Sequence, residues 1–270
     1  MLPIGGLRRA SRERLSRVLR QSKGAISAAD ASRALNVERA EAARLLANWS
    51  ARGWLSRVRR GLYVSVPLES STADLPLDDA WVVAERLFAP CYIGGWSAAT
   101  HWGLTEQLFR STLVVTTRRP RARRVDARGT IFVVRTVSER AMFGLKAIWR
   151  GKAKVNVSDP TRTILDLLDT PALGGGIRTV VDILKSYLRS TYRDPKLLVR
   201  YADQLGNKAV LKRLGFLATT IAPDEAELIT ECRKRLSAGN AKLDPKLPGE
   251  RLVTAWRLWI PAGFAEDPKR

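Results

Sequence analysis

SAADASRALNVERAEAARLLANWSARGWLSRVRRGLYVSV, residues 27–66, decides the fold of the first part of this chain. Ser27 followed by Asp30 makes a capping-box-like helix start, with the carboxylate near the positive helix end. Ala31, Ala34 and Leu35 form the inner face of that helix, and Asn36 suits the left-handed residue that ends it. Val37 plugs the space before the next helix, which runs from about Glu38 to Arg52. There Ala42, Leu45, Leu46 and Trp49 fall at i, i+3, i+4 and i+7 and turn inward, and Gly53 is the stop. Arg39, Ala40, Ala43, Arg44, Ala47 and Asn48 are left on the outer faces, where the small alanines let the backbone approach a groove floor. Trp54–Val58 and Leu62–Val66 alternate like two short strands about Arg59-Arg60-Gly61, and Gly61 permits the positive φ of a tight turn. Helix, turn, helix and basic hairpin in this order predict a winged helix-turn-helix, which lays one helix in the major groove of DNA.

Outward from this stretch, a preceding helix is expected from Ser11 to about Gln21, burying Leu15, Val18 and Leu19 and ending at Lys23-Gly24. Pro67 to Pro76 is polar and Ser/Pro-rich and reads as a linker. A second domain follows. Helices are predicted at Asp78–Phe88 and Trp96–Trp102, and strands at Tyr92-Ile93, Leu113–Thr117 and Ile131–Thr136. Gly144–Trp149 and Ala153–Val157 pair around Arg150-Gly151. Asp159-Pro160 opens a helix, with the aspartate as cap and proline in the first turn. Further helices are expected at Ile177–Ser190, Pro195–Leu205, Lys208–Leu214 and Asp224–Ser237, then one strand, Arg251–Ile260, and a loose tail. The domain reading is a winged helix at 1–66, a linker at 67–77, an α/β domain at 78–260 and a tail at 261–270. The fold class is α/β (α+β): an N-terminal winged helix-turn-helix followed by a mixed α/β C-terminal domain with a helical C-terminal part.

The charge is the compositional outlier. The 270 residues carry 47 Lys and Arg against 26 Asp and Glu, a net of +21. Residues 1–66 contribute +10 and the run RRPRARRVDAR at 118–128 contributes +5, so 77 residues hold +15 of the total. Such clustering is the electrostatic footprint of a polyanion partner. Through residue 150 the cations are 24 Arg and 2 Lys. Arginine suits bidentate contact with phosphate or guanine; a GC-rich genome accounts for the ratio equally well, but not for the clustering. No apolar run approaches the ~20 residues that span a bilayer, and the N-terminus lacks the apolar core of a secretory signal. No membrane partner is expected, and the expected compartment is cytoplasmic. Cys91 and Cys232 stand far apart and suggest neither a metal pair nor a disulfide framework.

The DNA-contact set expected on these grounds is Ser27, Arg39, Arg44, Asn48, Arg57, Arg59 and Arg60. Arg118, Arg119, Arg121, Arg123 and Arg124 are added as backbone contacts. Arg44 pairs with guanine O6/N7 and Asn48 with adenine N6/N7, while Arg39 serves base or phosphate. The wing arginines reach phosphate or the minor groove. The 118–128 run lies along the DNA backbone, or is a solvated loop, or grips an acidic protein or RNA. Enzymatic signals are weak. Gly174-Gly175-Gly176 lacks the lysine and hydroxyl residue of a Walker loop, and no G-x-S-x-G elbow is present. His101 beside Trp102 reads as a packed or capping histidine. Asp166 and Asp169, at i and i+3, face a common side and suit a metal. Helix capping by Asp159 and an Arg162–Asp166 pair at i+4 is the stronger reading. No cofactor and no catalytic residue is expected.

Three stretches resemble the AbiEi-type antitoxins of type IV, abortive-infection toxin–antitoxin systems. They are Arg59-Arg60-Gly61-Leu62-Tyr63, the run Tyr92–Leu104 (YIGGWSAATHWGL), and Ser158–Asp166 (SDPTRTILD). The resemblance implies a winged helix that binds inverted repeats in its own promoter, as double-stranded DNA, and represses the operon. It implies a C-terminal domain that neutralises a nucleotidyltransferase-like toxin without forming a stable complex, with Ser97, Asp159, Arg162 and Asp166 as the motif residues of that domain. It also leaves open phosphoryl or nucleotidyl transfer by the C-terminal domain. The arginine density of 118–128 departs from the family pattern.

Overall fold

A computed structural model describes residue 6 and residues 8–67, 77 and 79–264. Most of the stretch read as a linker and the last part of the tail lie outside the described residues. The chain divides into two compact units. The first comprises Met1–Tyr92, Arg110–Thr136 and Ala147–Asn156, and the second Ile93–Phe109, Val137–Lys146 and Val157–Arg270.

The first unit begins with α1 (Arg9–Gln21), β1 (Ala25–Ser27), α2 (Ala28–Leu35), α3 (Arg39–Ala51), β2 (Leu55–Arg59) and β3 (Leu62–Ser65). Ser27 and Asp30 form the expected capping box. The Ser27 Oγ accepts from the Asp30 amide, and the Ser27 amide donates to Asp30 Oδ2 at 2.9 Å. Asn36 takes the left-handed conformation at φ 55° and releases the chain into α3. Leu15, Val18, Ile26, Ala31, Ala42, Leu46, Trp49 and Leu55 close one apolar core. Burying such side chains contributes roughly 1.5–3 kcal/mol for each large one. The indole N–H of Trp49 donates to Ser11 Oγ at 2.9 Å, so this ring enters the core without an orphaned donor.

The sequence carries no signal for β1. It is only 3 residues long and pairs antiparallel with β3, giving the wing sheet the order β1-β3-β2. Three residues show too little alternation to register as a strand. What holds them is a distant partner: Ala25 lies opposite Val64 and Ser27 opposite Leu62.

A second, mixed sheet has the order β6-β7-β5-β4-β9-β8 and is carried mainly by the first unit. Its strands are β4 (Cys91–Ile93), β5 (Ser111–Thr116), β6 (Arg124–Ala127), β7 (Thr130–Thr136), β8 (Leu145–Arg150) and β9 (Ala153–Ser158). β5 lies parallel to β7, and β6 runs antiparallel on the outer side of β7. Thr112–Thr116 are all buried, which fits a central strand with both faces covered. α4 (Ala80–Phe88) is capped by Asp79, whose Oδ1 accepts from the Trp81 and Val82 amides. It brings Phe88 edge-on to Phe132 of β7 at 5.6 Å.

The second unit is mostly helical: α5 (Gly95–His101), α6 (Pro160–Asp169), α7 (Ile177–Arg189), α8 (Pro195–Leu205), α9 (Lys208–Ile221) and α10 (Ala226–Lys234). α6 sits at its centre, with Pro160 to Leu168 all buried, and packs against α5, α7, α8 and α9. A small sheet of β10 (Ala241–Lys242), β11 (Arg251–Val253) and β12 (Leu258–Ile260) follows, in the order β10-β12-β11.

Two expectations in this unit are corrected. The strand expected at Arg251–Ile260 is a hairpin. A 3-10 turn at Thr254–Trp256 and a left-handed Arg257 (φ 50°) fold β12 back antiparallel on β11. The helix expected to stop at Leu214 runs on to Ile221. Gly215 is not a terminator. The indole of Trp256 lies where its Cβ would be, so glycine there serves close packing.

Candidate nucleic-acid interface

α3 presents its expected outer face: Arg39, Ala40, Ala43, Arg44, Ala47 and Asn48 are all exposed, while Ala42, Leu46 and Trp49 are buried. Arg44 and Asn48, one turn apart, therefore stand side by side along one edge of the helix. Arg39 opens the first turn. Ser27 is placed differently from the other residues of the expected set. Its hydroxyl donates to Asp30 Oδ2 at 2.7 Å and accepts from the Asp30 amide, so both functions are used in capping α2.

On the wing, Arg57, Arg59 and Arg60 are exposed and Gly61 turns the chain at φ 77°. The register shifts between Arg57 and Arg59, a bulge that increases local twist and re-aims the arginines at the tip. Arg59 also donates from Nη2 to the Arg86 carbonyl at 3.4 Å, tying the wing to α4.

The 118–128 run is more ordered than a solvated loop. The Arg118 amide donates to Thr116 Oγ1 at 3.1 Å, and Thr136 Oγ1 donates to the Arg118 carbonyl at 3.3 Å. The Val134 amide donates to the Arg123 carbonyl at 2.8 Å. From Arg124 on, the segment is strand β6, paired at Arg124↔Val133. The side chains of Arg118, Arg119, Arg121, Arg123 and Arg124 are nevertheless exposed. Arg118, Arg119 and Arg121 line one cleft of about 420 Å³ together with Arg59, over an apolar floor that includes Val58, Phe88 and Val125. The two basic stretches, about 60 positions apart in sequence, thus meet in one place. Four cations around one cleft raise the local positive potential and favour a polyanion.

Asp30 ties this arrangement together. Its partial burial pushes the carboxyl pKa up. The hydrogen bonds from the Ser27 hydroxyl and amide, with the Arg86 and Arg33 cations, outweigh that and hold it below the ordinary carboxylate value. The Arg33 and Arg86 guanidinium groups lie 2.6 Å and 3.4 Å from it. Arg86 carries no signal in the sequence. Its position is legible only once α4 is seen beside the winged helix.

The motif residues of the second unit are used inside its fold. Asp159 caps α6, accepting from the Arg162 amide at 2.7 Å and from the Tyr201 hydroxyl at 3.1 Å. Burial raises its pKa, and those two donors offset part of the rise. Arg162 donates from Nε to Asp166 at 3.1 Å, with both side chains essentially fully buried, and its guanidinium stacks 4.2 Å from the Phe143 ring centroid. Ser97 is buried on α5, the helix that packs against α6. Asp169 is directed elsewhere and accepts from Asn207 Nδ2 at 2.5 Å, so Asp166 and Asp169 do not converge. Among the described residues, no group of three or more His, Cys, Asp or Glu is placed to hold a metal ion. His101 is exposed and packs edge-on against Trp102, whose indole N–H donates to the Ser158 carbonyl at 2.7 Å. No helix among the described residues is long and apolar enough to cross a membrane.

Residues 13–66 match the sequence model of a family described as transcriptional regulator, AbiEi antitoxin. The match covers the winged helix, with the Arg59–Tyr63 stretch inside it, and supports an AbiEi-type antitoxin; the stretches Tyr92–Leu104 and Ser158–Asp166 lie outside the matched residues. None of the curated proteins matches the chain. Among solved structures, the crystal structure of RV2827C protein from Mycobacterium tuberculosis is similar, with a TM-score of 0.60 and 15% identity over 96% of this chain and 94% of that one. At this identity the likeness concerns the fold.

Proposed function

We propose that the chain binds double-stranded DNA through α3 and the wing, represses transcription of its own operon, and acts as the antitoxin of a nucleotidyltransferase-like toxin. The observation that carries the DNA reading is the cleft shared by Arg59 of the wing and Arg118, Arg119 and Arg121, on the same unit as an α3 face of arginine, asparagine and alanine. α3 enters the major groove, where Arg44 and Asn48 read base edges. The wing and the 118–124 arginines hold phosphates and supply most of the salt-dependent affinity. An inverted-repeat operator implies two copies on one site. The matched regulator segment supports this reading, and so does the amount of charge placed on one unit.

Antitoxin action is assigned to the second unit, where Asp159, Arg162 and Asp166 cap and build the central helix α6 and Ser97 is buried on α5, which packs against it. Fluorescence anisotropy on the duplex upstream of the chain's own reading frame tests the first part, against a shuffled duplex, between about 50 and 200 mM salt. Tighter binding to the upstream duplex, falling steeply with salt, is expected; equal binding to both duplexes overturns sequence-specific repression. Co-expression with the product of the neighbouring gene tests the second part: growth restored by the full chain and lost on deleting residues 157–270 is expected. Growth restored by residues 1–156 alone shows instead that residues 157–270 are not needed for neutralisation.

A further inference from the structure

The cleft shared by Arg59, Arg118, Arg119 and Arg121 has more structure than contact with a duplex uses. A duplex backbone asks only for cations and donors on an open surface. This cleft has depth and an apolar floor. At about 420 Å³ it falls within the roughly 300–1,000 Å³ of small-molecule sites. Val58 of β2, Leu87 and Phe88 of α4 and Val125 of β6 supply the floor, all from the first unit. A convex duplex resting on the arginines leaves that floor uncovered.

Among the described residues that line it, Asp126 is the one carboxylate against four guanidinium groups. Its Oδ1 accepts from the Gly129 amide at 2.9 Å, in the turn between β6 and β7. Phosphates of a nucleic-acid strand come singly, one charge each, along an extended backbone. A polyphosphate chain gathers several charges over a few ångströms, and four arginines about one cleft match that density. The cleft is also preformed. Thr116 Oγ1 donates to the Phe88 carbonyl at 2.7 Å and accepts from the Arg118 amide at 3.1 Å. One buried hydroxyl thus ties floor to rim, and a backbone set before a ligand arrives lowers the ordering cost of binding.

We propose that this cleft binds a nucleoside triphosphate, its base on the apolar floor and its phosphates on Arg59, Arg118, Arg119 and Arg121. Because Arg59 belongs to the wing, nucleotide and DNA compete for the same cations, and the nucleotide acts as an inducer that lowers operator affinity. The competition rests on the DNA-binding role proposed above; nucleotide binding by itself does not.

ATP, tripolyphosphate and adenosine, each titrated calorimetrically into the full chain without DNA or magnesium and at constant ionic strength, test the site. Saturable binding of ATP is expected, about tenfold tighter than that of tripolyphosphate, with adenosine weaker still. Val125→Thr keeps the shape and adds a hydroxyl to the floor; it should weaken ATP several-fold and leave tripolyphosphate unchanged. Arg118→Gln, on an exposed side chain, should weaken both. ATP bound no tighter than tripolyphosphate marks non-specific attraction of anions and overturns the proposal. ATP binding that neither substitution alters overturns it too, as does an oligothymidylate that binds where ATP does not. These titrations contain no duplex, so their failure leaves operator binding standing, and a chain that binds ATP but no operator keeps the site. In the complex with the upstream duplex, ATP at constant ionic strength should raise the apparent dissociation constant in proportion to its concentration. Duplex affinity indifferent to saturating ATP overturns the competition.

Discussion

The Arg86 guanidinium on α4 lies 3.4 Å from the carboxylate of Asp30, the residue that closes the capping box of α2. Through this pair and the Arg59–Arg86 hydrogen bond, one residue outside the winged helix touches both the first helix of the helix-turn-helix and the wing. The consequence is that α4 braces the helix-turn-helix and the wing, and the winged helix is not mechanically independent of the helix that follows it.

Asp30→Asn keeps an acceptor for the Ser27 amide but removes the charge. It should cost about 1 kcal/mol at neutral pH, the usual size of a capping contribution. The native carboxyl sits below its unfolded value of 3.8. Its contribution is therefore fully present above pH 3.8 and is lost as the pH falls through the lower native value. Urea unfolding of both proteins at neutral pH and at successively lower pH checks this. The gap between the two should close in acid; a gap that widens there refutes the assignment.

Arg44→Ala and Asn48→Ala should each weaken binding to the cognate duplex by about 1–3 kcal/mol and relax sequence preference at one position. Anisotropy against a set of single-base operator variants reads this directly. Equal weakening on all duplexes would move these two residues from base reading to phosphate binding.

Replacing Arg118, Arg119 and Arg121 together with alanine should weaken binding to every duplex alike. The slope of log K against log salt should fall by about 0.9 for each phosphate that is no longer neutralised. Because the backbone of this segment is held by Thr116 and Thr136, the variant should unfold at the wild-type temperature. An unchanged salt slope would show that the run faces away from the DNA.

Arg162→Ala leaves the Asp166 carboxylate buried without its guanidinium and should destabilise the second unit by about 3–5 kcal/mol. The double change Arg162→Met with Asp166→Leu removes both charges and should recover much of that stability. Thermal unfolding of the three proteins decides. If the double variant is no better than the single, the pair is not the main source of the effect.

Gly215→Ala places a methyl group where the Trp256 indole already lies, on a helix that otherwise favours alanine. The clash should outweigh the propensity gain and cost about 1–3 kcal/mol. Trp256→Leu in the same background should relieve it, as read by the denaturant midpoint; a Gly215→Ala protein as stable as the wild type would show that the ring yields freely.

Legibility in the sequence follows the range of the interaction. α2, α3, the wing, and the α6 cap at Asp159-Pro160 are set by neighbours within a few positions, through caps, turn residues and apolar periodicity. Those short-range rules also place Arg44 and Asn48 on the outer face of α3 and predict the Arg162–Asp166 pair. Elements held by distant partners leave no such signal. β1 exists because β3 pairs with it, β6 because β7 does, and the break at Arg257 follows the turn that brings Trp256 onto Gly215. Gly215 shows how the local rule fails: glycine signals both a helix stop and a close approach, and only the approaching ring tells them apart.

By itself, then, the sequence determined which segments become helices, where α2 and α6 begin, which face of α3 is free, and that positive charge falls in two separate blocks. Only the tertiary structure decided that Arg59 of the first block and Arg118, Arg119 and Arg121 of the second share one cleft. It also decided that Arg86 of α4 reaches the Asp30 carboxylate of α2. The physical reason is reach. Capping and periodicity act over one or two helical turns, whereas a cleft is made by side chains that folding brings together from about 60 positions apart, and no local interaction records that meeting.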